Sequence, residues 1–450
     1  MDMTVMRQTS GKGRGNVPSR AYMRVAATLA IVGGILANTV SARMYYASPV
    51  GQGDGFSVES PFRVASFRDK ARPGDTLILL DGLYTSPESM IKPPKSLSGK
   101  SDSPITVCAL HDGKVTIDGK GVLQPVALYY NDWWVIEGIN ACNSKSTVVS
   151  LSRSHHCIVR RVCGWNAADG NTNIFAAHYG EHNLFEDCAG WGIARKTFSC
   201  SQGGNYTTFR RCFGSWEGCH NVGPKMAFTL FYNSHHITAE NCIATWDGKL
   251  MRESHAAMAQ DGKPFTAWKD GSGRPRYYSN YGVDQPYGCF GMDRIDQGPT
   301  KGPFVYGCIA FRLKSQRVVN IPGLFFMRCR KPHDGWFENC AAFVETGAAD
   351  VRTFNMTNVD GRKVTVIGGS DPQFGGGDIS GILRIAGKNV PATWREMFQE
   401  EPPEQGAHLY YCYENGKLTR KPLWPWPMND RIKELTGTDL TAMVCTMNKR

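Results

Sequence analysis

Two adjacent cations, Arg195 and Lys196, stand in the segment WGIARKTFS. Further along, Glu217, His220 and Lys225 crowd into nine residues of WEGCHNVGPKM. A lysine beside a second cation loses its proton more easily than a solvated one. It can then act as a base toward a weakly acidic C–H next to a carboxylate, provided that another cation neutralises that carboxylate. On a regular strand, neighbouring side chains diverge; a turn at Arg195-Lys196 would relieve that conflict. Arg195, Lys196, Lys225 and His220 are therefore the candidate catalytic groups. Glu217, Asp247, Lys249 and Arg274 are candidate substrate contacts. Asp169 and Asp187 offer hard oxygen ligands of the kind calcium takes, with Glu217 as a further oxygen donor. The carboxylates Glu217, Asp169 and Asp247 also leave a second chemistry open, acid–base hydrolysis of a glycosidic bond. A third reading is a non-catalytic binding solenoid in which the basic residues only hold a polyanion.

Other chemistries lack their signatures. The sequence has no convincing P-loop, dinucleotide-binding glycine motif, GxSxG elbow, HExxH or CxxC pair. The pairs His155-His156 and His235-His236 occupy the same turn of a repeat. Neighbours there point to opposite faces, so they read as turn residues and not as metal ligands.

The elements that would position these groups form a repeat. Five segments align: 150–165, 176–191, 200–216, 231–246 and 327–343. Each has a polar or glycine turn, a short alternating strand, a cysteine, small residues and an aromatic. The anchoring cysteines are Cys163, Cys188, Cys212, Cys242 and Cys340, with Cys308 in the same column. The first intervals are 25, 24 and 30 residues. A period near 24 with short strands and no helical periodicity predicts a parallel β-solenoid. Stacked coils place equivalent residues about 4.8 Å apart, so the cysteines become a packed column. Trp165, Trp191, Trp216, Trp246, Phe311 and Phe343 form a second expected column, and Arg161, Glu186, Arg210 and Glu240 a surface ladder of alternating sign.

The opening segment, 60–84, predicts a short amphipathic helix carrying Phe62, Val64, Ala65 and Phe67, then a Pro73-Gly74-Asp75 turn and a buried strand, TLILL. A helix there would cap the first open coil. With Asp81-Gly82-Leu83-Tyr84, this opening and the coil repeat resemble the right-handed parallel β-helix proteins of the pectate-lyase-like superfamily, over about residues 55–370. The resemblance implies an all-β, right-handed parallel β-helix with an N-terminal helical cap. It implies a carbohydrate-active protein, foremost a lyase that cleaves an acidic, uronate-containing polysaccharide by β-elimination. Members that cleave uronates often use a Lys or Arg base together with Ca²⁺. The calcium-binding aspartate clusters of those members have no match in this sequence.

The chain has 450 residues and a net charge of +11, from 51 basic and 40 acidic residues. Arg7, Lys12, Arg14, Arg20 and Arg24 precede a 13-residue apolar run, Val25 to Ala37, and a small-residue ending at Ala42. This is the pattern of an export signal over residues 1–42; the run is too short for a membrane anchor. Cleavage there removes five basic and one acidic residue and leaves +7. For a secreted or periplasmic protein, such a charge favours acidic polysaccharide over nucleic acid as partner. The expected organisation is a β-helix domain over 43–370, interrupted by a loop at about 248–303, and a C-terminal cap or wrap over 371–450. Within that cap, Asn429 would cap a short helix at 430–435. Fifteen cysteines in an exported chain raise the possibility of disulfides, but the odd number and the column argue for packing.

Overall fold

The computed structural model describes residues 42–168, 170–216, 226–230, 234–246, 288–295, 302–312, 323–329, 335–344, 352–385, 413–414 and 417–418. The expected leader, most of the inserted loop and most of the C-terminal segment lie outside the described residues. Contacts divide the chain into Met1–Val40 and Ser41–Arg450, and every described residue belongs to the second unit.

Short strands run in the repeating order first sheet, second sheet, third sheet. After the first coils, each strand bonds in parallel to the strand one coil away, three strands on in sequence. Among the described residues the sheets hold 12, 11 and 9 strands. The fold is a right-handed parallel β-helix. Backbone hydrogen bonds are satisfied between coils, which lets most strands be only three to six residues long.

The helix Val64–Lys70 buries Val64 and Phe67. Phe67 lies 5.7 Å from the Tyr45 ring and 6.5 Å from the Trp134 ring, so the helix covers the first coil as expected. Phe62 is not helical: it precedes the helix and bridges to Ala47. Asp75 closes the turn, accepting from the backbone N–H of Arg43 at 2.9 Å and of Arg72 at 3.0 Å. Tyr84 is buried with its hydroxyl 2.8 Å from the carbonyls of both Ala47 and Leu80. These motif residues thus build the cap and do no chemistry.

The corner between the first and second sheets is made by one residue in the left-handed conformation. Arg161, Asp187, Arg211, Asn241, Asn339 and Lys363 all take φ between 48° and 56° there. A left-handed residue with a side chain is uncommon; here it is repeated coil after coil because its single step bends the chain from one sheet to the next.

Register corrects the expected columns by one residue in places. Ala189 pairs with Cys163 and with Phe213, so Val162, not Cys163, precedes Cys188 in the column. The column then runs through Cys212, Cys242, Cys308 and Cys340, all fully buried. Each thiol donates to a carbonyl of the preceding coil; Cys188 reaches Val159 O at 3.4 Å and Cys242 reaches Phe209 O at 3.4 Å. Among the described residues, eleven cysteine side chains, those of the column included, are not in disulfides. Burial pushes the thiols of Cys188, Cys212 and Cys242 up, which makes them inert packing groups.

The tryptophan column also breaks. Trp165 and Trp191 pair and stack with centroids 5.3 Å apart. The next coil offers Gly214 opposite Gly190, which puts Ser215 after it and moves Trp216 one place on, where it pairs with Trp246. The continuous aromatic ladder lies elsewhere, on the third sheet. Phe175, Phe198, Phe228, Phe290, Phe325 and Phe354 stack at 4.7, 4.6, 4.7, 5.1 and 4.6 Å. All six rings are buried in the core.

The expected charge ladder exists with Arg160 in place of Arg161. Glu137, Arg160, Glu186, Arg210 and Glu240 are neighbours in register on the first sheet. Arg160 bonds Glu186 at 2.9 Å, and Arg210 bonds Glu240 at 2.9 Å. Coils also continue past the expected boundary at 370: Gln373–Gly375, Ile379–Ser380 and Leu383–Ile385 each add a strand to one of the three sheets. Within the expected loop, Gly288–Ile295 is a strand of the third sheet.

Candidate active site

Lys196 opens the strand Lys196–Ser201 of the third sheet. Parallel pairing sets it between Asn173 on one coil and Met226 on the next. The position is held from both sides. Arg195 N–H donates to Thr172 O at 2.9 Å, and Met226 N–H donates to Arg195 O at 3.4 Å. The turn that the sequence required is the short connection 192–195, which begins at the left-handed Gly192. The Arg195 guanidinium, half-buried, donates to the Asn171 side chain.

Lys196 is 5% exposed, which is rare for a lysine. Burial strips water from its ammonium, and the adjacent Arg195 adds repulsion. Together they lower its pKa to about 7, against a small opposing effect from Cys200. Near neutral pH a large share of this amine is therefore unprotonated, with a permanent cation beside it.

A polar cluster surrounds the lysine. The neighbouring strand Asn173–His178 contributes Asn173 and His178. Desolvation, with Lys196 next in weight, lowers His178 to about 4, so the imidazole is neutral at working pH. Its Nδ1 lies 2.5 Å from Ser201 Oγ, and its Nε2 is 3.5 Å from the Asn173 amide nitrogen. If the amide donates, Nε2 is the accepting nitrogen and Nδ1–H donates to Ser201. Asn173 Oδ1, Ser199 Oγ and Thr229 Oγ1 are buried with no hydrogen-bond partner. Each unpaired group costs on the order of 1–3 kcal/mol. Their collection on the sheet that holds Lys196 marks a place where a polar ligand would be accommodated.

The other sequence candidates are not brought together here. Asp187 sits at the corner between the first and second sheets. Arg211 binds both of its oxygens, at 2.6 and 2.8 Å. It is a corner ion pair and not a metal ligand, because both oxygens already serve the neighbouring coil. Asp169, Glu217, His220, Lys225, Asp247, Lys249 and Arg274 lie outside the described residues. Among the described residues no group of three or more His, Cys, Asp or Glu could hold a metal. Calcium needs six to eight oxygens, whereas the cluster offers a neutral amide and hydroxyls beside two cationic side chains. These residues do not fit a calcium ion.

Sequence reading found Arg195 and Lys196 but missed Asn173, His178 and Ser201. A signal was present: a Phe followed two residues later by an apolar residue, in IFAAH, TFSCS and AFTLF, aligns the third-sheet strands. That alignment pairs Asn173 with Lys196 and His178 with Ser201.

Comparison with known proteins agrees with this architecture. The family model for chondroitinase B matches residues 58–199, about a third of the chain. Pectate lyase L of Dickeya chrysanthemi is 29% identical over 243 residues, which are 50% of this chain and 55% of that protein. The chain thus spans little more than half the length of that relative. Among solved structures, the pectate lyase Pel9A aligns with a TM-score of 0.51 at 15% identity, over 77% of this chain and 80% of that one. With its three parallel sheets and capping helix, the chain is a right-handed parallel β-helix protein, similar in fold to the pectate lyase Pel9A.

Proposed function

We propose that the protein is a polysaccharide lyase that cleaves an acidic, uronate-containing polymer by β-elimination, with Lys196 as base. The observation that carries this reading is a buried lysine of pKa about 7 beside a fixed cation. Names of two matched proteins, chondroitinase B and pectate lyase L, support it.

The chemistry follows from the charges. The neutral Lys196 amine takes the proton from the sugar carbon that bears the carboxylate. Arg195 neutralises that carboxylate and so stabilises the negative charge that develops on it. The electron pair left on the carbon forms a double bond to its neighbour as the C–O bond breaks; the departing glycosidic oxygen takes a proton from water, and Lys196 returns its proton to solvent. A proton bound to carbon must come within hydrogen-bond reach of Lys196, so the burial that lowers the pKa also restricts which substrate atoms can approach. Asn173 Oδ1, beside Lys196 in register, is available to a sugar hydroxyl. An N-terminal leader and a basic balance favour action outside the cytoplasm.

Absorbance of new unsaturated ends on polyuronates tests the reading. Lys196→Ala should reduce that activity by about 10²–10⁴-fold with the fold retained. Undiminished activity in this variant would remove Lys196 as the base. Reducing ends without new absorbance would replace elimination by hydrolysis.

A further inference from the structure

Three successive coils return from the third sheet to the first through turns of the same backbone shape. These turns are 130–133, 153–156 and 179–182. Their first and fourth residues are left-handed, with φ of 59° and 58°, 52° and 57°, and 56° and 57°. Backbone bonds tie the turns together: Trp133 N–H to His155 O at 3.0 Å, and His156 N–H to Glu181 O at 3.0 Å.

Two side-chain columns result. Fourth positions give Trp133, His156 and His182, which continue through Tyr206 to His236. These rings stack 4.1–4.9 Å apart and occupy one another's faces. First positions give Tyr130, Arg153 and Tyr179. The Arg153 guanidinium is sandwiched, 5.5 Å from the Tyr130 ring centre and 4.6 Å from that of Tyr179. Lys95 lies over Tyr130 at 4.1 Å and near Tyr129 at 5.8 Å. Tyr129 and Tyr179 are 49% and 44% exposed, and Lys95 and Arg153 are exposed too. Among the described residues neither cation forms an ion pair.

We infer that this corner is a binding strip for an acidic polysaccharide, with Arg153 and Lys95 holding carboxylates and the exposed tyrosines lying against sugar rings. The two ring columns differ in what they leave available. Stacked rings consume their own faces, whereas a guanidinium clamped between two phenols keeps its edge N–H groups for a carboxylate. The clamp also fixes its plane before any ligand arrives, which lowers the ordering cost of binding. Tyr179 directly follows His178 in the chain, so the strip adjoins the Lys196 cluster. A polymer seated along it would run across successive coils past the His178–Ser201 end of that cluster, one strand's length from Lys196. The strip rests on the reading of the protein as one that handles polyuronates.

Binding of the full chain to immobilised polygalacturonate and to chondroitin sulfate, over a salt series, tests the strip. The Lys95→Ala/Arg153→Ala double variant should bind the polymer that the wild type binds about tenfold more weakly, with a shallower salt dependence and an unchanged melting temperature. Cleavage of a short oligomer should be unaffected while KM for the polymer rises. Arg153→Lys, which keeps the charge but not the clamp, should fall between. Wild-type affinity and salt dependence in the double variant would overturn the strip, as would failure of the wild type to bind either polymer. Lys196→Ala separates the two readings: it should bind polymer like the wild type without cleaving it. Cleavage by Lys196→Ala would remove the base and leave the strip to be judged by binding alone.

Discussion

Two charged regions of the same solenoid behave in opposite ways. On the first sheet, Glu137, Arg160, Glu186, Arg210 and Glu240 alternate in sign, and each charge meets its opposite on the adjacent coil. Burial works against the Glu186 carboxylate, but Arg211, Arg160 and Arg210 outweigh it and hold the group below the usual carboxylate range. On the third sheet, Lys196 is buried beside Arg195, and the same stacking gives it Asn173 and Met226 as neighbours in place of a carboxylate. The stacking rule is common to both regions; only the residue types differ. Compensated charge is used to fix register. A buried lysine with an amide and a methionine as its register neighbours stores a shifted protonation state, which is what a base requires.

The comparison can be broken at the lysine end first. Arg195→Ala should cut turnover of a polyuronate by about 10²-fold or more, because it removes the neutralising cation. The same variant should shift the pH profile. Activity of the wild type should rise as pH passes through about 7, where Lys196 loses its proton. Without Arg195 the ammonium is less opposed, so the rising limb should move to higher pH. A fall in activity with an unmoved limb would show that Arg195 does not act on Lys196.

At the compensated end, Glu186→Ala leaves Arg160, Arg210 and Arg211 facing one another. Urea denaturation should show a loss of about 2–4 kcal/mol, given that the carboxylate is partly buried. A loss near zero would mean that the ladder contributes nothing measurable. Lys196→Met should change stability with the opposite sign. The folded lysine titrates near 7 and the unfolded one near 10.5. Between those values the unfolded chain holds more protons, so stability rises with pH across that window. Below about 7 the fold must tolerate a buried ammonium. The methionine variant should therefore melt higher than the wild type, with a larger gain at pH 6 than at pH 10. Equal gains at both would mean that Lys196 is not depressed.

Fold class was legible because the coil repeats residue types as well as a pattern. Cys188, Cys212 and Cys242 recur with the same flanking strand, and the helix before Pro73 announces a cap. Register was less legible. A parallel strand shifted by one residue turns every side chain over, and the sequence alone could not distinguish Arg160 from Arg161 or Val162 from Cys163. The phenylalanine ladder stayed hidden because Phe228 and Phe290 are separated by an insertion that swamps the period. The proposed base, Lys196, was legible only as one of an adjacent cation pair. Its companions were not, since Asn173, His178 and Ser201 meet only when two third-sheet strands are laid side by side.

The corners of the coil also differ in how much they are allowed to vary. Between the first and second sheets, one left-handed residue does the bending, and an added residue would displace every strand after it. Between the second and third sheets, the chain takes 7 residues after Trp165, 4 after Trp191, 9 after Trp216 and 41 after Trp246. Lys196 begins a strand at that second kind of corner. New loops can therefore be grafted or exchanged next to the proposed base while the scaffold keeps its shape, so that substrate preference could drift without putting folding at risk.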